Sequence, residues 1–245
     1  MASGDVFTAT VEKIETPAPN VRELTLRPDG PPLAHAPGQW LSLRLPVGEK
    51  PPLIRAYTLA APPQADGSLE LLFDRVPGGL GSEYLWTLAP GDRVEFSGPV
   101  GNFVLPPPGE DDLVFVARYT GIAPFRAMLQ AMDNGAAAPR RVRLIYGAPR
   151  PVDLVYHAEL TDMAARHAGW FAYHPTVIEP DAHWSGAVGT ELDLLQKQVR
   201  AWLPCVPLVC GVREFTLPVR QFFMDELGFE RRQVKVENYS GPVSR

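Results

Sequence analysis

Leu105-Pro106-Pro107-Pro108-Gly109-Glu110-Asp111-Asp112 is the sharpest change of composition in the chain, and it separates two kinds of hydrophobic pattern. Proline fixes φ and stiffens a connection, so the stretch marks a boundary between one domain over 1–108 and another over 109–245. Upstream of it, apolar and polar residues alternate. Leu24 and Leu26 alternate with Glu23, Thr25 and Arg27, and Leu41, Leu43 and Leu45 with Ser42 and Arg44. Leu69, Leu71 and Phe73 follow the same rule with Glu70 and Asp74, as do Val94 and Phe96 with Arg93 and Glu95. Period two predicts half-buried strands, and turn clusters such as Asp29-Gly30-Pro31-Pro32 and Pro90-Gly91-Asp92 separate them. The upstream half reads as an antiparallel β-barrel or sandwich, interrupted by a helical segment, Glu83-Tyr84-Leu85-Trp86-Thr87-Leu88.

Downstream, apolar runs alternate with helical stripes. Leu113–Ala117 precedes a helix with Ile122, Phe125, Leu129 and Met132 on one face, and Val142–Gly147 precedes a helix from about Val152 to His167. Phe171–Val177 leads to a stripe of Leu192, Leu195, Val199 and Trp202. Leu208-Val209-Cys210 leads to Val219, Phe222, Phe223 and Leu227, and Val234-Lys235-Val236 closes the series. Strands alternating with helices predict a Rossmann-like parallel sheet covered on both faces, which takes ligands at the carboxyl ends of its strands.

Two short stretches carry chemistry. In Arg55-Ala56-Tyr57-Thr58-Leu59, strand alternation puts Arg55 and Tyr57 on one face and Ala56 and Thr58 on the other. An arginine fork suits a pyrophosphate, and a tyrosine ring offers a flat surface to an isoalloxazine, so the stretch reads as a flavin site. Gly78-Gly79-Leu80-Gly81-Ser82 stands just ahead of the helical segment, where free amides and the helix dipole favour an anion. Read alone, it is equally a glycine turn with Ser82 as the helix cap.

Composition narrows the classes. The chain has 245 residues, 45% of them hydrophobic, so it can bury a sizeable core. A formal charge of −5 argues against a nucleic-acid partner. No apolar run reaches the length of a membrane span, and Met1-Ala2-Ser3-Gly4-Asp5 lacks the layout of a signal peptide, so a cytoplasmic location is expected. Cys205 and Cys210 are too few for a four-thiolate cluster, the five histidines show no zinc spacing, and no G-x-S-x-G elbow occurs. No metal is expected.

Arg55-Ala56-Tyr57-Thr58 resembles the R-x-Y-S/T flavin motif of the ferredoxin–NADP reductase family, and Gly78–Ser82 resembles that family's second flavin motif. Thr120-Gly121-Ile122-Ala123-Pro124 is similar to its pyridine-nucleotide motif, Cys210-Gly211 to its nicotinamide-end motif, and Val236-Glu237-Asn238-Tyr239 to the ending of its plant-type members. The resemblance implies FAD bound by Arg55, Tyr57, Thr58, Gly79, Leu80, Gly81 and Ser82, and NAD(P)H as co-substrate bound by Thr120, Gly121, Cys210 and Gly211. It implies that Tyr239 covers the flavin, and that Thr58, Cys210 and Glu237 line the path of hydride between nicotinamide and flavin. Single electrons would then pass to a separate redox protein such as ferredoxin or flavodoxin. Ile178-Glu179 stands where phosphate-preferring members place serine and arginine, which tilts the expectation slightly to NADH, although Arg150 argues the opposite.

The chain also departs from the family. Arg118 and Tyr119 stand where glycines are usual, Val212-Arg213 replaces a proline after Gly211, and Ser240–Arg245 extend past the terminal aromatic. Two alternatives follow: an electron-transfer subunit of a larger oxygenase or dehydrogenase complex, or a non-catalytic interaction protein with a degenerate nucleotide site. Arg140, Arg141, Arg231 and Arg232 are the residues that would concentrate positive charge for an acidic ferredoxin.

Overall fold

The computed structural model describes residues 5–107, 109, 111–137 and 140–239, so the extension past Tyr239 lies outside the described residues. The chain divides into two compact units, residues 5–105 with Ala123–Asn134, and residues 106–122 with residues 135–239.

The first unit contains β1 (Phe7–Ala18), β2 (Val21–Pro28), β3 (Trp40–Leu45), β4 (Leu53–Thr58), β5 (Leu69–Asp74), α1 (Leu80–Thr87) and β6 (Arg93–Val100). The strands form one antiparallel sheet in the order β4-β3-β6-β1-β2-β5. A single antiparallel bridge between Leu59 and Leu71, with Ala60 N–H donating to the Glu70 carbonyl at 2.8 Å, ties the two edges and closes the barrel. Closure removes open edges that would otherwise pair with other chains. The inward residues are those the alternation picked out: Leu24, Leu26, Leu41, Leu43, Leu45, Leu69, Leu71, Phe73, Val94 and Phe96, with Leu85 of α1 packed in the same cluster. β1 was not among the anticipated runs. Its pairing shifts between Val11 and Lys13 and again between Glu15 and Ala18, and such bulges break the period that would have revealed it.

The second unit contains β7 (Asp112–Arg118), β8 (Val142–Ala148), α3 (His157–Arg166), β9 (Phe171–Val177), β10 (Ala187–Val188), α4 (Glu191–Gln198), β11 (Cys205–Val212), α5 (Arg213–Leu227) and β12 (Lys235–Tyr239). All pairings are parallel, in the order β10-β9-β8-β7-β11-β12. The strand order reverses between β7 and β11, which makes their carboxyl ends the crevice where this class of sheet takes ligands. Val114, Val116 and Val209 on one face pack against Phe215, Val219 and Phe223 of α5 and Leu195 of α4.

After β7 the chain makes a 3-10 turn, Tyr119–Ile122, and enters α2 (Ala123–Asp133). The apolar stripe of Phe125, Leu129 and Met132 is buried, as the periodicity requires. What it packs on is the barrel. The Phe125 and Phe103 rings meet edge to face with centroids 5.7 Å apart. The Arg126 guanidinium, 12% exposed, donates to Glu70 at 2.7 Å and to the Ala60 carbonyl at 3.1 Å, with Glu23 at 3.8 Å. The proline-rich boundary therefore divides strands from strands, while α2 lies with the earlier ones.

Three expectations need correction. The helix placed from about Val152 is shorter: Pro151–Asp153 is a 3-10 turn, Tyr156 takes the left-handed φ of +60°, and α3 begins only at His157. The stripe ending in Trp202 is α4 followed by a 3-10 turn, Val199–Trp202. Cys210 lies on the fifth strand of its sheet, not the fourth, because two-residue β10 is too short to show a period. No helix among the described residues is long and apolar enough to cross a membrane.

Candidate functional site

In the barrel unit, β4 and the start of α1 bring the two flavin-motif stretches together. Gly81, in the first turn of α1, has no side chain. A Cβ built there would lie 3.2 Å from Leu45 Cδ1, 3.3 Å from Arg55 Cγ and 3.4 Å from the Tyr57 hydroxyl. Arg55 and Tyr57 thus share a face, as alternation required, and the bare Cα of Gly81 lets the helix end approach both. The Arg55 guanidinium is exposed and donates to its neighbour's carbonyl, Ile54 O, at 2.8 Å. The amides of Leu80, Gly81 and Ser82, in the turn that packs on the stem of Arg55, precede the first intrahelical bond of α1, Glu83 N–H to Gly79 O at 2.9 Å. An exposed fork on a stem beside such amides suits a diphosphate.

Gly79, not Ser82, is the N-cap, and it has no side chain to bond the helix end. The Ser82 hydroxyl accepts from Val76 N–H at 3.0 Å and points back at the Val76 and Gly79 carbonyls, at 3.3 and 3.2 Å. It braces the glycine turn from within. Tyr57 packs edge to face on Phe73, with centroids 6.0 Å apart. Burial pushes its phenol up to about 12, an effect that Arg55 beside it opposes. Thr58 is 4% exposed and pairs with Trp40 across β3.

In the second unit, the nucleotide-motif turn and the cysteine strand touch backbone to backbone. A Cβ on Gly121 would lie 2.3 Å from the Cys210 carbonyl oxygen and 3.0 Å from Gly211 Cα. Gly211 in turn faces the Phe215 ring, 2.8 Å from where its own Cβ would stand. Thr120 is buried at the same turn. Cys210 pairs in register with Ala117 on one side and Glu237 on the other. In parallel strands paired residues project the same way, so Cys210, Glu237 and Tyr239 share a face. The Cys210 thiol is fully buried, and burial raises it well above the ordinary thiol range. The Glu237 carboxylate adds to the rise, and the Tyr239 hydroxyl beside the sulfur opposes it. Cys210 is therefore a neutral thiol, packing and polarisable, rather than a thiolate nucleophile.

Cys205, also buried, is pushed up to about 12, first by burial and then by Asp111 and Asp112. Each of these acids has a folded pKa above its unfolded one. The stability linked to them is complete below about pH 9 and is lost as pH rises towards the folded values. The melting temperature is expected to fall steadily from about pH 9 to 11, and iodoacetamide at about pH 8.5 should label neither cysteine until the chain is denatured. Labelling of the native protein at the rate of a free thiol would overturn this placement.

Arg118 and Tyr119 fill the positions of the missing glycines. Tyr119 adopts φ +52°, the left-handed conformation that a glycine takes without cost. The Arg118 side chain grips Glu191, at the start of α4, with Nε 2.9 Å from Oε1 and 3.1 Å from Oε2, and with Nη2 also on Oε2. Its guanidinium lies over Phe215, 4.7 Å from the ring centroid. No local pattern signals this pairing, because its partners stand 73 positions apart. Two arginines expected to gather positive charge are already matched, Arg141 by Asp112 at 2.6 Å and Arg232 by Glu230 at 2.8 Å. Arg140 donates to the Asp111 carbonyl at 2.7 Å.

The same two halves appear in comparison with known proteins. The profile of the oxidoreductase FAD-binding domain matches residues 8–105, and that of the oxidoreductase NAD-binding domain matches residues 115–221. Ferredoxin–NADP reductase B of Sorangium cellulosum is 34% identical over 249 residues, covering 98% of this chain and 100% of that one. The chain belongs to the ferredoxin–NADP reductase family. It is an NAD(P)H-dependent flavoprotein reductase with an FAD-binding and an NAD-binding domain.

Other family members are subunits of larger systems. The reductase subunit of an aromatic O-demethylase from Amycolatopsis is 37% identical over 193 residues, 76% of this chain and 55% of that one. The electron transfer component of toluate 1,2-dioxygenase from Pseudomonas putida is 38% identical over 61% of this chain, which spans 43% of it. Among solved structures, an Amycolatopsis cytochrome P450 reductase superposes with a TM-score of 0.83 at 28% identity, over 96% of this chain and 69% of that one. The ferredoxin–NADP+ reductase of Plasmodium falciparum, at 18% identity and a TM-score of 0.79 over 96% of each chain, shows the shared fold alone.

Proposed function

We propose that this reductase takes electrons from NADH and delivers them singly to a separate redox protein of the ferredoxin or flavodoxin type. The observation that carries this reading is the pairing of motifs within each unit: Gly81 against Arg55 and Tyr57, and Gly121 against Cys210 and Gly211. When bound, FAD supplies two-electron chemistry towards the nicotinamide and one-electron chemistry towards the partner. Arg55 and the amides of Leu80, Gly81 and Ser82 hold its diphosphate, and Gly79 opens the turn that frees those amides. Tyr57 offers its ring face, and Thr58 its hydroxyl, at the end of β4.

In the other unit Thr120 and Gly121 receive the dinucleotide. Cys210 and Gly211 line its nicotinamide end, Glu237 holds or relays a proton, and Tyr239 closes the site by stacking. The neutral thiol of Cys210 suits this, since it presents a soft surface without attacking the ring. The left-handed conformation of Tyr119 supports a turn that still receives a nucleotide.

The choice of NADH rests on two side chains. Glu179 is exposed after β9, where a carboxylate accepts from a ribose 2′-hydroxyl and repels a 2′-phosphate. Arg150, the cation that would favour the phosphate, is held by Asp153 through Nε–Oδ2 and Nη2–Oδ1 contacts of 2.9 and 3.0 Å. A second reading, the reductase component of an oxygenase, is supported by the similarity to the demethylase and dioxygenase reductases. Two free cysteines and a nicotinamide substrate go with a reducing, cytoplasmic compartment. Anaerobic titration of the purified protein tests the reading. Bound flavin should bleach with NADH at lower concentration than with NADPH, whereas a colourless chain that takes up no FAD would refute it. Reoxidation by ferredoxin or flavodoxin, against none by either, separates the first reading from the second.

A further inference from the structure

The Arg118–Glu191 pair closes one side of a cavity of about 190 Å³, whose other walls are Gly147, Ala148, Pro149, Ile178, Gly189 and Thr190. These residues are the carboxyl ends of β7 and β8, the residue after β9, and the entrance to α4. The volume equals roughly six waters at about 30 Å³ each. That is room for a phosphate group, with the rest of a dinucleotide lying outside it.

Arg118 faces this space as a fixed cation. Of its five N–H donors, Nε–H and one on Nη2 are taken by Glu191. The two on Nη1 and the second on Nη2 remain. The side chain is 36% exposed, whereas the Glu191 carboxylate is 2% exposed and lies under Gly147, where an added Cβ would meet Oε1 at 2.2 Å. Both carboxylate oxygens are engaged by the arginine and both side chains line the cavity, so the guanidinium brings its remaining donors and a partly neutralised charge to it. Phe215 beneath the guanidinium fixes its plane by a cation–π contact. Phe215 also packs on Gly211, so the cation is set at the crevice between β7 and β11.

We propose that Arg118 is a phosphate-binding residue for the dinucleotide, supplying by its side chain the contact that glycine amides supply in other turns of this kind. The proposal rests on the nucleotide-binding reading above. Glu191 acts as a positioning residue that orients the fork while partly neutralising it. A merely structural ion pair weakens the protein whichever partner is removed. A ligand-binding cation and its neutraliser, in contrast, shift affinity in opposite directions.

Calorimetric titration of the FAD-loaded protein with NAD+ separates the two. Arg118→Ala should raise the Kd about 10- to 100-fold, as loss of a charge-assisted contact does. Arg118→Lys, which keeps the charge but not the fork, should fall between it and wild type. Glu191→Gln keeps the buried shape and removes the opposing charge, and should tighten NAD+ about two- to fivefold. Affinity should weaken with ionic strength in the wild type and much less in Arg118→Ala. Equal weakening by Arg118→Ala and Glu191→Gln, or no change in either, overturns the proposal. If Arg118→Ala does not fold, the direction of the Glu191→Gln shift alone decides. Wild-type protein that holds FAD but takes up no NAD+ refutes the nucleotide reading itself, a result distinct from any of these.

Discussion

Gly121→Ala is expected to cost about 2–3 kcal/mol of stability and to weaken NAD+ binding at least about tenfold, while FAD uptake stays at the wild-type level. The added methyl would stand 2.3 Å from the Cys210 carbonyl oxygen, 2.8 Å from its carbonyl carbon and 3.0 Å from Gly211 Cα. All three atoms belong to the backbone of β11, which is paired on one side with β7 and on the other with β12. A side chain can swing aside, but a central strand can yield only by breaking ladder bonds, so the turn must move instead. The Thr120 and Gly121 amides would then leave the crevice at the strand ends. Gly169→Ala is the control: nothing lies within 4 Å of its added methyl, and the change should stay within about 0.5 kcal/mol of wild type. Differential scanning calorimetry and NAD+ titration read both quantities. A Gly121→Ala protein that melts and binds like wild type would show that the close approach of turn and strand is unimportant.

That contact also shows why part of the site was legible in the sequence and part was not. Strand interiors announce themselves by period two, and β2, β3, β5 and β6 were found that way. Where a bulge interrupts the period, as in β1, or the strand has two residues, as in β10, the signal disappears. Arg55-Ala56-Tyr57-Thr58, Thr120-Gly121 and Cys210-Gly211 are local strings, so their presence could be read without coordinates. Their partners could not. Nothing in the string around Gly121 states that its missing side chain leaves room for the Cys210 carbonyl, nor does Arg118 reveal that its charge is met by a glutamate at the entrance to α4.

The stripe of Phe125, Leu129 and Met132 said that a helix buries one face, and left open what covers it. A half-buried Arg126 held by Glu70 and the Ala60 carbonyl supplies the answer, and sequence spacing carries no trace of it. The alternative of Ser82 as the helix cap fails for a related reason. A hydroxyl three residues into a helix can turn back to brace the loop instead of capping, and only the path of Val76–Gly79 decides between them.

Arg55→Ala should yield a folded, colourless protein with an FAD affinity about 100-fold below wild type. The fold is expected to survive because the guanidinium is exposed, and its bond to the adjacent Ile54 carbonyl holds no distant element in place. The cofactor should lose far more, since the arginine is the cation proposed to hold its diphosphate beside the start of α1. Melting curves without and with FAD separate the two effects. At FAD concentrations about 100 times the wild-type Kd, binding adds about 2.7 kcal/mol to wild-type stability. A variant whose Kd has risen 100-fold gains only about 0.4 kcal/mol at the same concentration, by the same relation. Without FAD the two proteins should melt together. Arg55→Lys should recover part of the loss, because a point charge still attracts a diphosphate but cannot grip it with two parallel bonds. If Arg55→Ala keeps its yellow colour through gel filtration and its full stabilisation by FAD, the diphosphate does not lie between this arginine and the start of α1. The bare Cα of Gly81 would then be a packing detail of the barrel.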